Sequence, residues 1–95
     1  MTKREEILHG ARSCICEDRN AQYGEPENNF GAIARLWSEY LDMDVSAHDV
    51  GMMMALFKIA RIKTAQKKTK EDSYVDAVGY IACAGEIALQ GGQKT

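Results

Sequence analysis

SAHDVGMMMALFKIARIKT, residues 46–64, sets the architecture. Ser46 can cap a helix, and Asp49 follows three residues later in the capping-box position. From Ala47 to Thr64 the apolar residues fall on nearly every side: Val50, Met52, Met53, Met54, Leu56, Phe57, Ile59, Ala60 and Ile62. A helix that is apolar all round is buried all round. This segment is therefore expected to be the central helix, packed by the others or by a second subunit.

Helical patterns lie on both sides of it. Ile7, Leu8, Ala11, Cys14 and Ile15 recur at helical spacing over 2–21, interrupted by Gly10. A Tyr23-Gly24-Glu25-Pro26 turn then restarts the chain. Glycine allows a left-handed bend and proline suits a first helical position, where its missing N–H has no partner to lose. Phe30, Ile33, Ala34, Trp37 and Leu41 form one stripe of a helix over 26–41. After the polar linker 66–70, with Thr69 as a cap, a last helix is expected over 70–89. Its Ala77, Gly79, Ala82, Ala84, Gly85 and Ala88 let a neighbouring helix come close. No strand pattern appears. The expectation is one all-α domain over 1–95, a four-helix bundle with a frayed tail at 90–95.

Composition fits that reading. Apolar residues are 45% of the chain and charged residues 27%, as in a globular domain. Ninety-five residues bury one small core, and so apolar a third helix then favours self-association, as a dimer or tetramer. The net charge of −2 argues against a dedicated nucleic-acid binder. No apolar run has the length of a membrane span, and the charged start (Lys3, Arg4, Glu5, Glu6) does not resemble a secretory signal. Three cysteines, an odd number, suit a reducing, cytoplasmic setting. Cys14 and Cys16 are too close in sequence for an ordinary zinc knuckle. His9 and His48 have no partner at catalytic spacing and read as structural.

Charged residues interrupt the apolar faces at a few places. Asp72 and Asp76 are one turn apart and share a side with Tyr80 and Cys83. Two adjacent carboxylates are tolerated when exposed, when one is protonated, or when a cation sits between them. Asp72 can equally be a first-turn acid and Asp76 a solvated one. Lys58 and Arg61 share a face of the third helix. They can lay their stems along apolar surface with the charged tips in water. They can also clamp phosphate, where the guanidinium fork and the ammonium point charge both serve. No GxGxxG, Walker lysine loop, GxSxG or HExxH motif is present.

Three segments, RNAQYGEPENNFGAIARLW, DVGMMMALFKIAR and EDSYVDAVGYIA, occur in that order and cover 19–82. Together they resemble a family of small phage and prophage proteins. That family in turn resembles the MazG-like all-α NTP pyrophosphohydrolases, helical oligomers that bind Mg²⁺ with acids on neighbouring helices. The acid pattern departs from theirs. A Glu-Glu-x2-Glu cluster is replaced by the separate Glu27 and Glu39, and Glu-x2-Asp by Asp72-x3-Asp76. The resemblance implies a Mg²⁺-dependent conversion of a nucleoside triphosphate to a monophosphate and pyrophosphate, in the host cytoplasm if phage-encoded. It assigns Asp72 and Asp76 to catalysis and, with Asp49, to the metal. It assigns Lys58, Arg61, Arg19, Tyr23 and Asn29 to the nucleotide. A nucleotide binder without turnover, and a helical structural or interaction protein, are the alternative readings.

Overall fold

The computed structural model describes residues 1–18, 22, 24–66 and 71–90, with the backbone alone for residue 18. Four α-helices, α1 (Lys3–Ser13), α2 (Pro26–Leu41), α3 (Ala47–Thr64) and α4 (Glu71–Gln90), make up the fold, and no strand occurs among the described residues. The expected cap at Thr69 and most of the tail lie outside these residues.

Local chemistry sets the helix ends. Thr2 Oγ1 accepts from the Glu5 N–H at 3.2 Å, and the Glu5 carboxylate accepts from the Thr2 N–H at 2.7 Å, which closes a capping box on α1. That backbone donor holds the Glu5 carboxyl below the usual glutamate range. Ser46 and Asp49 form the box expected on α3, with both bonds at 3.0 Å. Pro26 is the first residue of α2, and Gly24 makes the left-handed bend before it with φ 77°. Asp42 ends α2 in the left-handed region at φ 56°. The loop from α2 to α3 is pinned by Ser38, whose Oγ accepts the Val45 N–H at 2.8 Å and donates to the Val45 carbonyl at 3.2 Å.

The expected centre of the bundle is corrected. α4 packs against α1, α2 and α3, whereas α3 touches only α2 and α4 among the described elements. The buried residues of α3 are Val50, Gly51 and Ala55, and those of α4 are Val75, Ala77, Gly79, Cys83, Ala84 and Ile87. The reason is side-chain size. α4 carries small residues on several sides, so three helices can approach it. A Cβ built on Gly51 would lie 2.8 Å from Ala84 Cβ and 3.2 Å from Phe30 Cε2. The α3–α4 crossing is thus close enough to need glycine on one side and alanine on the other.

The core is Phe30, Ala34, Val50, Cys83 and Ile87, with Ile33, Trp37 and Tyr80 packed around it. Phe30 and Val50 are the largest fully buried side chains. Each contributes roughly 1.5–3 kcal/mol from its removal from water. Leu41, at the end of the expected α2 stripe, is exposed instead.

The first helix differs from its expected regular course. α1 passes into a π-helical turn, Cys14–Asp18. Gly10 faces Val75, and Ile15 faces Gly79 one turn further along α4. Five residues on the first helix therefore match four on α4. A π turn, which holds one residue more than an α turn, begins at Cys14 within this stretch.

Candidate functional site

The two α4 carboxylates and the two α3 cations start from different helices, so their meeting depends on register. α3 and α4 run antiparallel: Gly51 lies against Ala84, and Lys58 lies against Asp76. The Lys58 ammonium is 2.8 Å from a carboxylate oxygen of Asp76. The Lys58 side chain is only 19% exposed and that of Asp76 39%. This is a half-buried, charge-assisted contact rather than a loose surface pair.

Asp76 also borders a cleft of about 210 Å³ between the π turn and α4. Cys14 and Ile15 form one wall, and Val75, Tyr80 and Cys83 help form the other. The expected grouping of Asp76 with Tyr80 and Cys83 is therefore present, as helical spacing dictates. Cys83 is buried while Cys14 and Cys16 are exposed.

Arg61 lies one turn beyond Lys58 and is exposed. Its guanidinium carbon sits 5.8 Å from the centre of the Phe57 ring, and the Lys58 nitrogen sits 5.9 Å from the same centre. Phe57 is half exposed. An aromatic face flanked by two cations can stack a flat base while the cations meet negative charge. Sequence reasoning missed Phe57, because one aromatic residue in an apolar run carries no mark of exposure.

The proposed metal ligands do not gather within one chain. Asp72 is exposed, one turn before Asp76. Asp49 caps the start of α3, nine residues from Lys58 and so about 13 Å along the axis. The antiparallel arrangement puts the first turns of α3 and α4 at opposite ends. Among the described residues no group of three or more His, Cys, Asp or Glu side chains is placed to hold a metal ion. Asp76 is already engaged by an ammonium. Among the described residues, Asp49, Asp72 and Asp76 therefore do not come together as one three-carboxylate group. Asn29 is half-buried in the first turn of α2, and Arg19 and Tyr23 lie outside the described residues.

A second, shallower cleft of about 580 Å³ was not foreseen. It runs along the end of α2 and the following loop, beside Arg35, Glu39, Asp42 and Asp44. The loop that carries Asp42 and Asp44 is tied back to α2 by the Ser38–Val45 bonds.

Residues 6–88 match a family model described as a domain of unknown function, DUF6378. The chain is 42% identical over 83 residues to the Gene 55 protein of Mycobacterium phage D29, a match covering 87% of this chain and 54% of that protein. It is 35% identical over 90 residues to the Gene 55 protein of Mycobacterium phage L5, covering 94% of this chain and 52% of that one. The chain thus spans about half the length of the curated relatives it matches. No solved structure matches it. The expected kinship with small phage proteins is present in these matches. No helix among the described residues is long and apolar enough to cross a membrane.

Proposed function

The chain belongs to the DUF6378 family, and from the geometry of α3 and α4 we propose that it handles a phosphorylated nucleotide. The observation that carries this reading is the Lys58–Asp76 contact. It brings a cation of α3 and an acid of α4 to one place, beside an aromatic ring and a second cation. In this reading Phe57 stacks the base, and Lys58 and Arg61 neutralise the phosphates. A phosphate that takes Lys58 releases Asp76. The freed carboxylate can then accept a proton from an attacking water.

In its full form the reading is a nucleoside triphosphate pyrophosphohydrolase, yielding a monophosphate and pyrophosphate. Mg²⁺ belongs to that form, since such sites use one or two carboxylates together with phosphate oxygens. Asp72 and Asp76, one turn apart on α4, are the carboxylates this chain would offer such an ion. The protein works as a homo-oligomer in this reading, in the host cytoplasm.

Pyrophosphate release from a panel of ribo- and deoxyribonucleoside triphosphates, with Mg²⁺ or Mn²⁺, tests it. Release that falls at least tenfold in both Lys58→Met and Asp76→Asn supports the enzyme. Thermal stabilisation by a nucleotide that stays intact supports a binder without turnover, since a ligand of the folded state raises its stability. Intact nucleotides with no stabilisation remove nucleotide handling altogether. An interaction protein would then be the reading, favoured by the exposed apolar side of α3.

A further inference from the structure

The outward side of α3 carries an ordered pattern. Asp49, Met52, Met53, Leu56, Ile59, Ala60 and Lys63 are all exposed, while Val50, Gly51 and Ala55 on the opposite side are buried. The exposed residues follow steps of three and four, so they form one continuous stripe. Leu56 is 62% exposed, and Met53 and Ile59 are 42% and 48%. Residues this large and apolar, in one row about two turns long from Met52 to Ala60, are unusual on an isolated helix surface.

The stripe is also symmetric about Leu56. Met53 and Ile59 lie three residues to either side of it, Met52 and Ala60 four, and Asp49 and Lys63 seven. The equidistant apolar positions match in kind, and the outermost positions match in opposite charge. A surface that is complementary to itself after a half-turn is what a two-fold interface requires. We propose that two copies of this chain pair through α3, antiparallel, with Leu56 on the two-fold axis. Asp49 of each copy then faces Lys63 of the other at both ends of the stripe. Parallel pairing would set Asp49 against Asp49 and Lys63 against Lys63. The helix dipoles favour the same choice, because each positive end meets a negative one.

The pairing leaves Phe57 and Arg61 on the neighbouring side of α3, outside the stripe. It also carries Asp49 of one copy to the end of α3 in the other, where Asp72 lies. The inference rests on the self-association in the functional reading and not on its nucleotide chemistry.

Sedimentation velocity at tens of micromolar tests it on the 95-residue chain. The expected wild-type species contains at least two copies, and Leu56→Glu halves its mass by setting two carboxylates against each other on the axis. Because Leu56 is exposed in the single chain, the variant keeps its helical circular dichroism. Lys63→Gln reads the orientation. It weakens an antiparallel pair about two- to thirtyfold by removing two exposed ion pairs. In a parallel pair it relieves a repulsion and tightens association. A monomeric wild type, a Leu56→Glu species of unchanged mass, or tightening by Lys63→Gln overturns the proposal. None of these measurements reads pyrophosphate release or nucleotide stabilisation, so nucleotide handling and pairing through α3 are tested separately.

Discussion

The two sides of α3 are both apolar, yet they are built differently. The inner side presents Val50, Gly51 and Ala55 to the rest of the chain. The outer side presents Met52, Met53, Leu56 and Ile59 to solvent. Side-chain size separates them. Where α3 meets α4 most closely, side chains are trimmed until one backbone nearly touches the other. Where no described element follows, long flexible side chains remain, and methionine in particular adapts to a partner surface. Hydropathy alone scores the two sides alike, which is why the helix reads as buried all round.

Substitutions can break that contrast. The largest loss is expected for Phe30→Ala, which empties the space packed against Gly51 and Tyr80. It is expected to lower stability by about 3–5 kcal/mol in urea denaturation. Gly51→Val comes next, at about 1–3 kcal/mol, because its side chain drives Ala84 and Phe30 away. A neutral Gly51→Val would mean that the inner side has slack, and the contrast would fail. Ser46→Ala, at the cap where both sides begin, is expected to lose about 1 kcal/mol by the same measurement. Leu56→Ser on the outer side is expected to change stability by less than about 0.5 kcal/mol at submicromolar concentration. Its melting temperature is also expected to lose the concentration dependence that an associating wild type shows.

The smallest expected effect lies outside α3. The Glu5 carboxyl is held below its ordinary value by the Thr2 N–H. The folded value is the lower one, so this group favours the folded helix start above the ordinary glutamate range. That contribution fades as pH falls through the lowered value. Amide exchange in the first turn of α1 is expected to quicken there, and less so in Glu5→Gln.

Much of this contrast is local chemistry and could be read directly. The Ser46–Asp49 cap, the Gly24 bend, the Pro26 start and the small residues of α4 each follow from one or two neighbouring residues. So does the placing of Asp76 beside Tyr80 and Cys83. The misread parts depend on distant relations. Asp49 and Asp72 both begin helices, and only the antiparallel packing shows that this separates them. The π turn adds one residue without changing composition. The rank of α4 as the central helix depends on which neighbours accept its small residues. Phe57 looks like its apolar neighbours until Lys58 and Arg61 are both seen within 6 Å of its ring centre.

The Gly51–Ala84 contact constrains descent as well as folding. A lineage that enlarges residue 51 leaves only one smaller choice at residue 84, from alanine to glycine. That exchange would itself loosen α4, where a second glycine already follows at Gly85. The two sites are therefore expected to vary jointly or to stay fixed. Relatives that carry a bulkier pair would have to hold these helices further apart and reshape the seat of Phe30.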